Sequence, residues 1–420
     1  QTANLFEKMN VPVFRAMIST KREEGEWLLS DDGLLWSDTY YQISIPETQG
    51  IIEPIFVAAP AKSIDNITGV EIISYTPIIE QMDYLADRVA NWVKLKKMAN
   101  SDKRIALIYY NYPPGKQNIG ASYLAVPESI IEILNGLKQQ GYNVTDIPGT
   151  ADLLVKMMID NGINVANWAP GELEKLANNP HTILWDAEEY EAWFKTLDPI
   201  VQKQVIEGPV GYIEEIVKIS LNYVKDSDSA YNATLNTINK WTQEMNTLAD
   251  TYPDKSSQIK TLITTMSNSL IEVVENTRNN TSTINPWNNF YIAKNAFMAL
   301  GISGLNGWGS SPGDIMTVTK NGRKYIVIPG MMFGNVFIGP EPQRGWEADV
   351  AKFYHSTILA PPHQYLAWYA WVNNQFKANA QIHLGRHATY EWLPRKQVAL
   401  ADFDYSNICL GTTPSIYIYI

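Results

Sequence analysis

The chain has 420 residues, 45% of them hydrophobic and 18% charged, with a formal net charge of -11. A chain this long exceeds one ordinary core, so roughly two to four domains of globular composition are expected. The acid excess and the lack of any Lys/Arg block argue against a nucleic-acid surface, and a lone cysteine, Cys409, excludes a disulfide framework or a Cys-rich metal cluster.

The opening residues (QTANLFEKMN) lack a basic start followed by an apolar run, so no leader is expected. No apolar run of about 18 residues occurs, so no membrane span is expected, and the setting read from the cysteine usage is reducing and cytoplasmic. Residues 1–100 read as a first α/β segment. Ile51, Ile52, Ile55, Phe56 and Val57 form a strand signal closed by Pro60. From Thr76, the residues Ile79, Met82, Leu85, Val89 and Trp92 recur at helical spacing up to about Met98.

Residues 101–207 carry the clearest unit. Arg104–Tyr110 is a buried-strand run, followed by a loop holding Pro113, Pro114, Gly115 and Gly120. Pro127 then opens a helix with Ile130, Ile131, Leu134 and Leu137 on one face, Gly141 caps it, and Tyr142-Asn143-Val144 starts a further strand. This is a βαβ pattern and hence a parallel sheet, whose ligands gather beyond the carboxyl ends of its strands, where the Pro113–Gly120 loop sits. The fold class is therefore α/β, multi-domain, with parallel-sheet βαβ units.

Residues 208–300 read as a helical insertion, a solvated bundle with no visible chemistry. Leu235, Ile238, Trp241, Met245 and Leu248 step by three or four, and after Pro253 so do Ile259, Leu262, Met266, Leu270 and Val273. Residues 301–420 are rich in Gly, Pro, Trp and His. Tyr325–Ile328, Asn335–Ile338 and Ala380–Leu384 read as strands, and Pro361-Pro362 opens an aromatic helix from His363 to about Lys377. The β-prone Ile416–Ile420 at the terminus suggests that more chain follows.

Four of the five histidines (His355, His363, His383, His387) fall in this last stretch, while His181 stands alone and reads as structural. Imidazole is the usual nitrogen ligand and proton carrier near neutral pH, so the cluster marks a candidate site. His383, His387 and Glu391 at i, i+4, i+8 would share one face of a helix as a metal triad. Gly385 favours instead a strand ending near His383, with Glu391 on the next turn. Hydrogen bonding within a polar core is the plain alternative. The zinc-protease pattern, a P-loop, a nucleophile elbow and a dinucleotide fingerprint are all missing, so any ATP use falls to a partner. Trp368, Tyr369, Trp371 and Trp392 would either wall a flat apolar ligand or pack a core.

The segment Ile105–Gly141 (IALIYYNYPPGKQNIGASYLAVPESIIEILNGLKQQG) resembles a block of the large, CobN/BchH-type subunit of ATP-dependent cobaltochelatase and magnesium chelatase. So do Gly334–Gly345, Tyr354-His355, Pro361–Tyr365 and His383–Pro394, with weaker echoes across most of the chain outside the helical stretch. Glu391-Trp392-Leu393-Pro394 is closer to the cobalt branch. This chain departs from the family in having Ala388 and Arg395 where glycines are usual, and Glu341 where Gln is usual.

The resemblance implies a tetrapyrrole-binding chelatase subunit. Its substrates would be a cobalt or magnesium ion and a tetrapyrrole, and its partners an AAA+ ATPase that uses ATP and a companion subunit. It implies Glu391 as general base or metal-delivering carboxylate, and His387 and His383 as metal ligands or proton relay. Arg344, His363 and Trp392 would be substrate contacts, and His355 a further candidate. The other readings are a tetrapyrrole carrier or sensor, a divergent paralogue, and a stand-alone His/Glu metallohydrolase.

Overall fold

The computed structural model describes residues 2–111, 119–120, 123–165, 170–302, 304–344, 356–385 and 389–419. Strands β1 (Phe14–Ile18), β2 (Glu53–Ile64) and β3 (Glu71–Pro77) form a first sheet in that order, with β1 and β2 parallel and β2 and β3 antiparallel. Strand β2 does not stop at Pro60. Its pairing with β1 ends at Ala58, so beyond that point it has a neighbour on one side only, where a missing N–H is tolerated. The resulting hairpin arm is apolar and open to solvent, with Ile67 94% exposed at its tip. The helix Ile79–Lys97 forms where the spacing predicts one. Ile79, Met82 and Val89 of its apolar stripe are exposed, however, and its buried residues are Gln81 and Arg88.

Strand β4 (Ile105–Tyr109) is buried along its whole length, as a continuous apolar run between two strands requires. A third, antiparallel sheet holds β5 (Ile183–Asp186), β6 (Thr317–Lys320) and β7 (Arg323–Ile328) in the order β5-β7-β6. Strands β8 (Met331–Phe333), β9 (Val336–Pro340), β10 (Ala380–Gly385) and β11 (Ser415–Tyr419) join β4 in the principal sheet, ordered β11-β10-β4-β9-β8. The β11, β10, β4 and β9 pairings are parallel.

The helix Val126–Gln139 has Pro127 in its first turn and Gly141 at φ +82° just past its end. Its buried Ile130 and Leu134 meet Leu107, Tyr109, Val336 and Ile338 of the sheet. The strand expected at Tyr142–Val144 does not form. Asn143 O instead accepts from Asn335 N (2.9 Å), and the chain passes into the helix Ala151–Asn161, capped by Thr150. A βαβ unit closes elsewhere, as β10, the helix Tyr405–Leu410 and β11, with His383 opposite Tyr417. The sheet therefore takes β4 from the 101–207 stretch and four strands from the 301–420 stretch, and β5 likewise pairs with β7.

Helix Pro199–Ser220 is kinked at Gly208 (φ +70°), where a Cβ would stand 2.5 Å from Leu305 O, so only glycine fits. Helices Asp228–Ala249 and Ser256–Arg278 form the expected hairpin, with Ile238, Trp241 and Met245 facing Ile259, Met266 and Leu270 in the main core. Helix Ile284–Met298 completes the block. Its buried Lys294 bonds both Glu207 and Glu214 on the kinked helix. Among the described residues, no helix is long and apolar enough to cross a membrane.

Candidate functional site at the carboxyl edge of the sheet

Because β4, β9, β10 and β11 run the same way, their carboxyl ends share one edge. Asn164 stitches two of these ends together: its backbone N–H donates to Asn111 Oδ1 (3.0 Å), and its Nδ2 donates to Glu341 O (2.7 Å). Glu341 N in turn donates to Tyr109 O (2.8 Å). Tyr109 hydroxyl donates to Gly162 O, anchoring the strand end to the neighbouring helix. Most of the proline loop after β4 and residues 345–355, which include His355, lie outside the described residues.

His383 sits near the end of β10, as the strand-then-turn reading expected, and is 3% exposed. Three tyrosine rings surround it: Tyr390 at 4.8 Å edge-on, Tyr417 at 6.4 Å edge-on and Tyr369 at 6.5 Å nearly parallel. Its Nε2 has no hydrogen-bond partner among the described residues. Burial pulls its pKa down to about 3, so the imidazole is neutral at physiological pH. The hydroxyl of Tyr369 is also buried without a partner among the described residues, and burial raises that phenol well above its ordinary range. Gln343 Nε2 and Gln364 Oε1 add two more unpartnered polar atoms to the segments around this edge, although Gln364 Nε2 donates to Gln343 O (2.8 Å).

Glu391 lies on the short 3₁₀ turn Thr389–Trp392 and is exposed, while the preceding Tyr390 turns inward against His383. Adjacent residues of such a turn point about 120° apart. The carboxylate is thus one residue from the histidine's ring contact without sharing its pocket. His387 lies outside the described residues, and among those described no group of three His, Cys, Asp or Glu can hold a metal. The i, i+4, i+8 helix is excluded by β10 itself.

His363 differs from the expectation of a ligand contact. Gly309 O can only accept, so Nε2 carries the proton and donates to it (2.9 Å), leaving Nδ1 to accept from the Tyr190 hydroxyl (2.9 Å). Both nitrogens are engaged, and burial lowers the pKa to about 4. Arg344, expected at a ligand's acidic edge, is 1% exposed, and its Nη2 donates to Ser356 O (3.0 Å). Trp392 is half-buried. Trp368 and Trp371 belong to the core around Phe337, and Trp368 Nε1 donates to Pro329 O (3.2 Å). His181 is exposed.

Arg395, which the sequence reading set against an expected glycine, holds the left-handed backbone at φ +86°. Its guanidinium bonds Gln204 Oε1 (Nη2, 2.7 Å) and Phe403 O, and lies over the Tyr405 ring. Gln204 Nε2 donates to Ile358 O (2.8 Å), so one side chain of the kinked helix ties both segments flanking the site. Sequence reasoning named Tyr369 as a candidate ligand wall but missed Asn164, Gln204 and the other two tyrosines beside His383, Tyr390 and Tyr417.

The sequence pattern of the CobN/Magnesium Chelatase family matches residues 1–217 and 303–420. The chain belongs to that family. An uncharacterized protein of Methanocaldococcus jannaschii is 27% identical over 99% of this chain and 25% of its own length. The aerobic cobaltochelatase subunit CobN of Pseudomonas aeruginosa is 24% identical over 98% of this chain and 24% of its own. The chloroplastic magnesium-chelatase subunit ChlH of Oryza sativa subsp. indica is 25% identical over 98% and 21%. The chain thus spans about a quarter of the length of the curated relatives it matches. The solved catalytic subunit of cobaltochelatase from Mycobacterium tuberculosis shares the fold, with a TM-score of 0.61 and 22% identity over 98% of this chain and 25% of that one. The unmatched residues 218–302 of the family pattern fall within the helical block.

Proposed function

We propose that this chain forms part of the tetrapyrrole-binding large subunit of a metal chelatase that inserts cobalt, or magnesium, into a corrin or porphyrin precursor. Family membership supports the reaction class. The observation that carries the site is a buried, neutral imidazole, its Nε2 without a partner among the described residues, at the carboxyl edge of a parallel sheet and beside a turn that presents a carboxylate.

Metal insertion breaks two pyrrole N–H bonds, forms metal–nitrogen bonds in their place and releases two protons. The incoming divalent ion must also shed water. Glu391, exposed on its turn, is the group that takes a pyrrole proton or delivers the ion. His383 and His387 serve as ion ligand or proton relay. With its pKa near 3, His383 offers a lone pair at neutral pH and never has to lose a proton before binding an ion. Trp392 would border the macrocycle. In keeping with the family resemblance, ATP hydrolysis is assigned to an AAA+ partner and a companion subunit; these 420 residues carry no P-loop-type phosphate cradle.

The test is Glu391→Gln in the full-length protein assembled with its partners. Metal insertion should fall by about 10²–10⁴-fold while tetrapyrrole binding, read by fluorescence quenching, is retained. Undiminished insertion would remove Glu391 from the mechanism. The tyrosine cage over His383 favours one second reading, a carrier that binds the tetrapyrrole without turnover. Porphyrin quenching without metal uptake in the complete assembly would select it.

A further inference from the structure

A cavity of about 370 Å³ opens at the amino edge of the principal sheet, where the helix Ile79–Lys97, the turn at 373–379 and the loop at 411–414 meet. Asn379 and Pro414, two of its lining residues, directly precede β10 and β11, so it stands at the edge opposite the one that carries His383. We propose that this cavity is a second binding site, for a small phosphate-bearing anion.

Charge points that way first. In a chain of net charge -11, the ionised side chains lining this space are Lys94 and Lys377, and no carboxylate lines it. Both lysines are exposed, and neither has an ion-pair partner among the described residues. Lys94, in the last turn of its helix, also suits the negative end of the helix dipole. Lys377 has no such reason. It holds the left-handed backbone at φ +56°, just past the turn Trp371–Gln375, where glycine or asparagine is usual. Arg104 adds a third exposed cation beside it, its Nη1 donating to Phe376 O (3.0 Å).

The neutral polar groups around the space add donors more than acceptors. The loop's carbonyls are already taken: Gly411 O accepts from the Tyr84 hydroxyl (3.1 Å), Thr412 O from Asn91 Nδ2 (3.0 Å) and Thr413 O from Arg88 Nη1 (3.2 Å). Pro414 O accepts from Gln381 N (2.9 Å). Asn379 Oδ1 accepts from Arg104 N (2.8 Å), which fixes that amide and leaves its Nδ2 without a partner among the described residues. The Thr412 hydroxyl accepts from Asn91 Nδ2 (2.8 Å), so its own proton is left for another acceptor. Asn374, also on the wall, is exposed.

Two ammonium groups on separate walls favour a dianion over a monoanion. Donors that arrive from a helix, a turn and a loop favour an oxyanion whose oxygens point several ways. Phosphate meets both conditions, and a planar monocarboxylate meets neither.

The test uses the full-length protein and reads binding, not metal insertion, so its outcome is independent of the function proposed above. Inorganic phosphate, ribose 5-phosphate and acetate are titrated by calorimetry at low ionic strength. At least one of the two phosphates should bind saturably, with an affinity that falls as salt is added, while acetate stays unbound. Whichever phosphate binds more tightly identifies the ligand as free phosphate or a phosphomonoester. Lys377→Gln and Lys94→Gln should each weaken that binding about fivefold, and the double variant should abolish it. Asn374→Asp, which sets a carboxylate on the wall, should weaken it at least as much. Lys175→Gln, on the helix Pro170–Asn178, makes the same change in net charge and should leave the affinity as it was. All four positions are exposed, and thermal unfolding of each variant reports folding. No saturable binding of either phosphate, equal binding of acetate, or equal weakening by Lys175→Gln and Lys377→Gln would each overturn the site. The last result would mean that overall charge, not this cavity, gathers the anion.

Discussion

The helical block and the carboxyl edge of the sheet bury polar groups in opposite ways. In the block, Lys294 bonds Glu207 and Glu214, Trp241 Nε1 donates to Pro209 O (2.9 Å) and Thr237 Oγ1 to Leu29 O (2.9 Å). Asn246 Oδ1 is the exception there. At the sheet edge, His383 Nε2, Tyr369 Oη, Gln343 Nε2 and Gln364 Oε1 are left without partners among the described residues. A buried polar atom without a partner costs free energy. Satisfied groups hold helices together, and unsatisfied ones at a strand edge are the ones a ligand can complete. Two imidazoles of one chain show the contrast in miniature, since His363 uses both nitrogens and His383 leaves Nε2 open.

The sharpest way to break this comparison is to remove one member of each class. Lys294→Met leaves the buried Glu214 short of a cation and should cost about 3 kcal/mol or more in urea unfolding, the usual penalty for splitting a buried ion pair. A loss under about 1 kcal/mol would mean that Lys203 and Lys218 already suffice for Glu214.

The two histidines give the next largest difference. His363→Phe strands the Tyr190 hydroxyl and Gly309 carbonyl and should destabilise by about 2–3 kcal/mol. His383→Phe removes an open nitrogen and should change stability by less than about 1 kcal/mol, while on the proposed function metal insertion by the full-length assembly should collapse. Equal stability losses would erase the distinction.

Acid supplies a finer test. Both folded pKa values, about 4 for His363 and about 3 for His383, lie below the ordinary imidazole value of 6.5. The unfolded chain therefore binds more protons than the folded one as pH falls below 6.5. Stability is unaffected above that pH and declines by about 1.4 kcal/mol per pH unit for each histidine, down to its folded pKa. His383→Phe should remove one histidine's share of that slope between pH 6 and about 4.5. An unchanged slope would show that His383 is not kept neutral by burial.

The smallest effect is expected on the first sheet's arm. Ile67→Asp, at a position 94% exposed, should shift stability by no more than about 0.5 kcal/mol. A larger loss would show that the full-length protein covers the arm.

Much of the local structure was legible because it rests on short-range periodicity. The run Ile105–Tyr109, the Pro127-to-Gly141 helix and the Pro253-broken helical hairpin all formed as read. Tyr142–Val144 failed as a strand because a short apolar run has no partner of its own, and Asn335 claims its backbone. The order of residues placed His383 on a strand and Glu391 on the following turn. It ranked His383 as metal ligand and His363 as substrate contact, but nothing in it showed that His363 would have both nitrogens engaged.

The sequence by itself determined the family and the α/β class, since these follow from composition, spacing and motifs along the chain, and it proposed where a site would lie. Tertiary structure decided the rest. It set β4 between β9 and β10, more than 200 residues away in the chain, closed three tyrosines over His383 and turned Arg344 inward. Pairing register and burial are set by contacts between distant segments, and local periodicity carries no information about which distant segment will arrive.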